Sequence, residues 1–284
     1  MQSKTLEILK DSLKSGKAVG AFNTSNMEIT QAIIVAANNL KIPCIIQVTA
    51  STMEYSYNTI GDLVRSNIEK LGGNTKIGFH LDHGHSLHDI TKAIDLGVDS
   101  VMIDASRMTL EENIEITKKV VEYAHAKGVA VQAELGKVPY LGRESLEVNW
   151  DEVMTKPEEA EQMVKETGID ALAVAIGNAH GFFREKKEPA WDRLNEIRNR
   201  LPDTPLILHG ASDWVNGRVT KAMDGGINAF NIDTDTRMAF CGAICKMTGG
   251  DHCEISDPRK VLGLAREEAQ KAIEKKMKMF NLDK

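Results

Sequence analysis

Short apolar runs alternate with longer amphipathic segments along almost the whole chain. Eight runs have the length and the apolar or β-branched composition of strands, at residues 18–22, 43–49, 76–81, 100–103, 130–134, 171–176, 205–208 and 229–232. Segments with the apolar spacing of helices lie between them, at 28–40, 60–71, 87–96, 111–127, 157–167, 191–201 and 215–224. Several of these helices are followed by glycine, as at Gly97 and Gly128, which is typical of a helix C-terminus.

The alternation of strands and helices predicts parallel strands, because a parallel pair needs a crossover that is usually a helix. Eight such units predict an α/β fold of the closed (β/α)8, or TIM, barrel type. An open nucleotide-binding sheet is disfavoured, since the chain reads AFNTSN after the first strand and carries no GxGxxG there. An extra amphipathic helix precedes the first strand, a helical tail spans about 257–281, and no linker divides the chain. We therefore expect one barrel domain over residues 1–284.

The composition is that of a globular protein with a substantial core, with 42% hydrophobic and 27% charged residues. A formal net charge of -6 argues against a nucleic-acid partner. No apolar run approaches the roughly 20 residues that cross a bilayer, and the N-terminus lacks a signal-peptide core, so a cytoplasmic protein without a membrane partner is expected. The four cysteines are too few and too irregular for a disulfide framework. Cys241 and Cys245 are interpreted as buried thiols, with a metal-binding pair as the alternative.

Three histidines follow three different predicted strands and each has a glycine beside it, namely His83, His180 and His209. The C-terminal ends of barrel strands carry the reactive groups in this fold class, so these imidazoles are expected at one mouth. Three protein ligands with one open position are the arrangement of a catalytic Zn²⁺. The alternative for each histidine is a hydrogen bond to a backbone carbonyl. His85 lies further into its loop and is expected to contact a ligand histidine without binding the metal itself. Its HxH spacing with His83 also suggests a metal-dependent hydrolase. Such enzymes usually carry that pair on the first strand, whereas here it follows the third.

Carboxylates end several of the same strands. Asp82 directly precedes the first of the three histidines, where an unligated carboxylate is suited to proton transfer. Asp104 and Glu134 end the fourth and fifth strands and are expected to orient the ligand histidines or to hold a second cation. The alternative for both is helix capping or pairing with Arg107 or Lys137.

Small and hydroxylated residues follow the last two strands. Gly210 and Ser212 come after the seventh strand, and the segment 231–234, with Thr234, after the eighth. Loops at these positions often bind phosphate through backbone N–H groups and hydroxyls. The same residue types also occur in ordinary turns.

Seven motifs in a fixed order extend this pattern over about residues 3–280. They are AFN at 21–23, LDHG at 81–84, AELG at 133–136, AVAIGNAHG ending at Gly181, LHGAS at 208–212, NIDTDTR at 231–237 and DPRK at 257–260. Together they resemble the class II, metal-dependent ketose-bisphosphate aldolases, which include fructose- and tagatose-1,6-bisphosphate aldolases.

The resemblance implies a lyase of carbohydrate metabolism and glycolysis that reversibly cleaves a ketose 1,6-bisphosphate to dihydroxyacetone phosphate and an aldehyde such as glyceraldehyde 3-phosphate. It implies Zn²⁺ on the three histidines, Asp82 as acid/base at the C4 hydroxyl, and Asp104 and Glu134 at a second divalent or a monovalent cation. It also implies a homodimer or homotetramer. Substrate contacts are implied at Asn23, Ser51, Gly181, Gly210, Ser212, Asn231, Asp233, Thr234 and Arg259, with Ser51 and Arg259 at the far phosphate and Arg259 often donated by the adjacent subunit.

The loop after AELG departs from the family pattern. Relatives usually have a Gly-Gly pair followed by acidic residues, one of which moves protons on the dihydroxyacetone carbon, whereas this chain reads KVPYLGRESLEVNW. Glu144 is the first candidate for that role and Glu147 the second. Because such loops face the aldehyde half of the substrate, the sequence does not distinguish a fructose from a tagatose substrate, and the aldehyde could be a different anionic one. A barrel that binds sugar phosphates without catalysis is a further alternative. The retained Asp82 argues against it.

Overall fold

The eight predicted strands form a closed barrel. The computed structural model of the protein describes residues 3–139, 149–180, 188–248 and 257–282. Each strand pairs in parallel with its sequence neighbours, and β1 closes the ring with β8. The strands are β1 (Val19–Asn23), β2 (Cys44–Thr49), β3 (Ile77–Gly84), β4 (Ser100–Ile103), β5 (Ala130–Leu135), β6 (Ala171–Val174), β7 (Leu206–Leu208) and β8 (Ile227–Ile232). The predicted (β/α)8 barrel is confirmed.

Helices surround the barrel in the predicted alternation. They are α1 (Lys4–Ser15), α2 (Met27–Leu40), α3 (Ala50–Tyr55), α4 (Ile60–Leu71), α5 (Leu87–Asp95), α6 (Leu110–His125), α7 (Trp150–Val153), α8 (Pro157–Thr167), α9 (Trp191–Arg200), α10 (Asn216–Asp224), α11 (Thr234–Thr248) and α12 (Pro258–Phe280). The sequence did not predict α3 and α7, because helices of 6 and 4 residues are too short to show an apolar period. None of the described helices is long and apolar enough to cross a membrane.

The main core lies between the outer face of the strands and the inner faces of the helices. Phe22, Ile46 and Leu81 on strands and Ile33 on α2 are among its fully buried members. Burying one such side chain contributes about 1.5–3 kcal/mol. Helix caps fix the short loops that follow the strands, as where the Ser86 hydroxyl accepts a hydrogen bond from Asp89 N at the start of α5. Strand ends at the barrel mouth are thus attached to well-anchored helices.

The N-terminal helix closes the opposite end of the barrel. Ile8 and Leu9 of α1 join a second buried cluster made of inward-facing strand residues, namely Val19, Ala21, Ile45, Ala171, Ala173, Ile207 and Ala229. Gly78 permits this close approach, since a β-carbon there would overlap the side chain of Thr5. Asp99 accepts a hydrogen bond from Thr5 N at 3.0 Å and so holds the first turn of α1. The floor of the barrel is therefore filled.

The C-terminal helix packs on its own barrel. α12 contacts α2, α11 and β1, and the ring of Phe280 stacks on that of Phe230 with centroids 4.7 Å apart. Cys241 and Cys245 of the neighbouring α11 are exposed, so their interpretation as buried thiols was wrong; they lie on the outer face of α11, whereas Phe240 supplies its buried face. Cys44 of β2 is buried.

Candidate active site

An irregular strand end brings two adjacent side chains to the barrel mouth. Successive residues of a regular strand face opposite sides of the sheet. The pairing of β3 with β4 shifts register between Leu81 and Gly84, and His83 adopts a left-handed backbone conformation with φ of 49°. A residue other than glycine is rare in this region, and such strain is typical of functional sites. As a result Asp82 and His83 line the same cavity.

The three predicted metal-binding histidines lie together. His83 Nε2 is 3.0 Å from His209 Nδ1, and the ring centroid of His180 is 5.7 Å from that of His83 and 6.2 Å from that of His209. One ligand atom of each histidine lies within 4.8 Å of those of the other two. Tetrahedral zinc with Zn–N bonds of about 2.0–2.1 Å separates its ligand atoms by about 3.4 Å, so the donor set fits this ion.

Hydrogen bonds to the backbone of neighbouring loops position two of these histidines. Asn178 Nδ2 donates to the carbonyl of His209 at 2.9 Å, and Asn178 Oδ1 accepts from Ile176 N at 2.7 Å. His180 N donates to the carbonyl of Pro139 at 2.9 Å. The loops that follow β5, β6 and β7 are thereby connected. Asn178 lies within the AVAIGNAHG motif, but no role at the site was predicted for it.

His83 also belongs to a second group of possible metal ligands, together with Asp104 and Glu134. Its Nδ1 lies 2.8 Å from Asp104 Oδ2 and 3.8 Å from Glu134 Oε2. The other oxygen of Asp104 accepts from the hydroxyl of Ser106 at 2.7 Å. Glu134 Oε2 is buried with no hydrogen-bond partner among the described residues, which leaves it available to a cation. Within the described ranges, neither carboxylate pairs with Arg107 or Lys137.

The charges of this cluster perturb the pKa of each histidine differently. Burial alone would lower the pKa of His83, but the negative charges of Asp82, Asp104 and Glu134 raise it to about 10. Burial and the charge of His83 lower the pKa of His180 to about 4, and the same two effects hold the pKa of His209 well below its ordinary value. The last two imidazoles are therefore neutral, which is the form that binds a metal.

The pKa values of the neighbouring carboxylates are also perturbed, in opposite directions. Burial and the negative charges of Asp104 and Asp82 raise the pKa of Glu134 to about 8, although the charge of His83 acts to lower it. Burial also acts to raise the pKa of Asp82, but His83 and the hydrogen bond from Asn23 outweigh it, and the net shift is downward. Asp82 is therefore ionised at neutral pH, as a proton acceptor must be.

Two asparagine amides hold the Asp82 carboxylate. Asn23 Nδ2 donates to one oxygen at 2.8 Å and Asn231 Nδ2 to the other at 3.1 Å. Asp82 is 5% exposed, and its Oδ1 lies 3.9 Å from His83 Nε2. The carboxylate is thus fixed beside the three-histidine group without being one of its members.

Two cavities meet at the histidines, since both are lined by Thr49, His83 and His180. The smaller cavity, of about 280 Å³, also contains Asp82 and His209. Most predicted substrate contacts line it, namely Asn23, Gly210, Ser212, Asn231, Asp233 and Thr234. The larger cavity, of about 780 Å³, is lined by Ser51, Asp104 and Glu134.

Some predicted residues are not brought to the two cavities. The side chain of Arg259 is 89% exposed and pairs with Asp257 at 3.0 Å at the start of α12, lining neither cavity. Glu144 and Gly181, with the second candidate Glu147, lie outside the described residues. His85, by contrast, lines the larger cavity; it is largely exposed and lies beside the carbonyl of Asp104, outside the three-histidine group.

Sequence reasoning also missed Arg237, which lies at the site, and His80, which lies in the barrel interior between the site and the N-terminal helix. Arg237 lines the smaller cavity and pairs with Asp233 at 2.9 Å; it is the last residue of the NIDTDTR motif, which was the available signal. His80 is buried on β3, with Nδ1 2.9 Å from the hydroxyl of Ser100 and its pKa lowered to about 4 by burial. Strand alternation could have found it, since residues 80 and 82 of a strand point to the same side.

Comparisons with known proteins agree with this geometry. The sequence model of the family described as class-II fructose-bisphosphate aldolase matches residues 3–284. A fructose-bisphosphate aldolase of Geobacillus stearothermophilus is 38% identical over 276 residues, covering 96% of this chain and 95% of the relative. A fructose-bisphosphate aldolase of Thermus caldophilus is 39% identical over 298 residues, covering 97% and 96%. The crystal structure of the YdjI aldolase from Escherichia coli K12 superposes with a TM-score of 0.84 at 28% identity, covering 99% of this chain and 98% of that one.

Proposed function

The chain belongs to the class II fructose-bisphosphate aldolase family, and from this premise we propose that the barrel mouth cleaves fructose 1,6-bisphosphate reversibly, with zinc held by His83, His180 and His209. The family consists of aldehyde-lyases that act on phosphorylated ketoses and is zinc-dependent in general. The observation that carries the proposal is the convergence of three imidazoles beside an ionised carboxylate that is not one of their group.

The donor set suits a zinc ion that keeps one position for substrate. When bound, zinc supplies a Lewis acid that stabilises negative charge on substrate oxygens, an effect worth several kcal/mol. His180 and His209 are neutral and ready to bind, whereas His83 would have to give up its proton for a metal to bind. Asp104 holds the other ring nitrogen of His83 and so fixes the orientation of this ligand. Glu134, whose Oε2 has no hydrogen-bond partner in the part of the chain that the structure describes, is proposed with Asp104 as the place for a second cation.

Asp82 is the proposed acid/base. In the cleavage direction it removes the proton of the C4 hydroxyl, the C3–C4 bond breaks, and the aldehyde leaves with C4 as its carbonyl carbon. In condensation Asp82 returns the proton to the new C4 hydroxyl. The amides of Asn23 and Asn231 keep the carboxylate in place through both directions. A second group must deliver a proton to C3 of the dihydroxyacetone phosphate half, and Glu144 is proposed for it from the sequence.

The two cavities are assigned to the two halves of the substrate. We assign the smaller one to dihydroxyacetone phosphate, because Gly210, Ser212 and Thr234 offer hydroxyls and backbone N–H groups to a phosphate. The larger one is assigned to the aldehyde half. Arg107 and Lys137 line it and supply positive charge for an anionic end, which also suits an anionic aldehyde other than glyceraldehyde 3-phosphate.

Arg259 would reach a far phosphate from an adjacent subunit of a homodimer or homotetramer. This assignment agrees with its exposed position away from the cavities of its own chain. Light scattering on the purified protein tests the subunit count. A monomer with full activity would remove Arg259 from the site.

The function is tested by cleavage assays with D-fructose and D-tagatose 1,6-bisphosphate as separate substrates. We expect release of dihydroxyacetone phosphate from the fructose substrate, loss of activity after incubation with a chelator, and recovery on addition of Zn²⁺. Full activity in protein shown to be free of metal would overturn the zinc assignment. In the reverse direction, a panel of phosphorylated and carboxylated aldehydes with dihydroxyacetone phosphate identifies the acceptor and the C4 stereochemistry.

A further inference from the structure

A buried lysine on the C-terminal helix contacts two loops of the active site. Lys276 is 7% exposed, although lysine is almost never buried unless it is paired. Its ammonium donates a hydrogen bond to the carbonyl of Ser212, lies 3.4 Å from the carbonyl of Trp214, and lies 2.9 Å from Asp235 Oδ2. The contacts with the two carbonyls are hydrogen bonds, and the contact with Asp235 is an ion pair.

The acceptors belong to the loop after β7 and the start of α11. These two segments form one wall of the smaller cavity and carry the groups proposed to bind phosphate. Ser212 lies in the loop after β7, two residues beyond Gly210. Asp235 lies in the first turn of α11, next to Thr234. Lys276 itself does not line this cavity; it lines a separate cavity behind the wall, together with Asp235 and Ser212. Lys276 thus joins the two segments from the side away from the substrate.

Attachment of α12 to the barrel does not account for the charge at this position. Ala269, Ile273, Met277 and Phe280 already bury the inner face of the helix. Burying an ammonium costs desolvation free energy, so an apolar side chain of similar length would hold the helix at least as well. What the ammonium adds is a fixed spacing between Ser212 and Asp235, because it is hydrogen-bonded to one segment and ion-paired with the other at once.

We propose that Lys276 is a positioning residue for the phosphate of the dihydroxyacetone phosphate half. It sets the distance between the loop after β7 and the start of α11, so that hydroxyls and N–H groups from both segments reach one phosphate. The inference rests on the proposed function of the smaller cavity. It predicts an effect on phosphate binding that loss of a purely structural contact would not produce.

The test compares Lys276→Met with Lys275→Met in the zinc-loaded, full-length protein. Lys275 is an exposed neighbour on the same helix and makes no hydrogen bond or ion pair with either segment within the described ranges, so its substitution makes the same charge change without removing such a contact. The measured quantities are the Kd values for dihydroxyacetone phosphate and inorganic phosphate, KM and kcat for fructose 1,6-bisphosphate, zinc content and thermal unfolding. We expect Lys276→Met to raise both Kd values and KM about tenfold, which corresponds to about 1.4 kcal/mol. Zinc content should stay unchanged, kcat should change much less than KM, and Lys275→Met should behave as wild type.

A second variant, Asp235→Asn, keeps the lysine and weakens only its ion pair. It should raise KM and the phosphate Kd in the same direction by a smaller factor, and it decides the question if Lys276→Met does not fold. A folded Lys276→Met protein with wild-type Kd and KM would overturn the inference, whatever its thermal stability. If wild type itself binds neither dihydroxyacetone phosphate nor inorganic phosphate, the assignment of the smaller cavity is what fails.

Discussion

Replacement of Gly210 by alanine is expected to separate two of the proposed metal-binding histidines. Gly210 directly follows His209 and has a φ of 65°, a left-handed conformation that favours glycine. A β-carbon added there would lie 2.5 Å from the carbonyl oxygen of Ala179 and 2.6 Å from its carbonyl carbon. Ala179 directly precedes His180. The new methyl group would therefore push apart the backbones that carry His180 and His209.

The size of the effect follows from these distances. Ordinary contact for a β-carbon begins at 3.4 Å, so the two backbones must separate by about 0.9 Å. Zinc sites tolerate changes in ligand distance of only about 0.2 Å, and a displacement near 1 Å can cost about 10²-fold in rate. We expect zinc affinity to fall about 10- to 100-fold, as it does when groups that orient metal ligands are lost. The left-handed conformation adds about 1–2 kcal/mol of destabilisation to the metal-free protein.

Gly217→Ala is the matched control. Gly217 lies in the first turn of α10, and its added β-carbon would meet no atom of the described residues within 4 Å. This variant should keep wild-type zinc affinity and be unchanged or more stable by at most about 1 kcal/mol. Competition with a chromophoric chelator measures zinc affinity, urea unfolding of metal-free protein measures stability, and the aldol cleavage assay measures rate. If Gly210→Ala matches Gly217→Ala in zinc affinity and rate, the reasoning about backbone contact between the two loops is wrong.

Three further predictions concern the acid/base, the metal and the thiols. Asp82→Asn should lower kcat by about 10²- to 10⁴-fold with zinc content unchanged, and a wild-type rate would exclude the carboxylate from proton transfer. Zinc at 1,000 times its Kd should stabilise the folded protein by about 4 kcal/mol. This stabilisation is measured as a higher unfolding temperature that a chelator reverses. Equal unfolding temperatures with and without zinc would contradict the metal site. Burial raises the pKa of the Cys44 thiol to about 12, whereas Cys241 and Cys245 are exposed. After iodoacetamide treatment at pH 8, mass spectrometry should therefore find Cys241 and Cys245 alkylated and Cys44 unmodified. Rapid alkylation of Cys44 in the folded protein would contradict its burial.

The barrel and the metal-binding candidates could be predicted from the sequence because both follow from periodic patterns. Strand-length apolar runs separated by helical spacing specify the (β/α)8 order, and the rule that strand C-termini share one mouth brings His83, His180 and His209 together. The eight strands were found at the predicted positions to within a few residues.

Features that depend on local backbone geometry could not be predicted. The left-handed conformation at His83 and the register shift of β3 leave no compositional signal, yet they allow Asp82 and His83 to face the same cavity. The contacts of Lys276 join residues more than 40 positions apart, and no periodic pattern reports such pairs. The exposure of Cys241 and Cys245 depends on which face of α11 packs inward.

The filled floor of the barrel leaves the active site open at one end only. Ile8 and Leu9 close the other end, so the intact bisphosphate enters and both products leave at the mouth. Access for substrate and products is therefore confined to the mouth that carries the three histidines, because the first helix of the chain is seated at the opposite end.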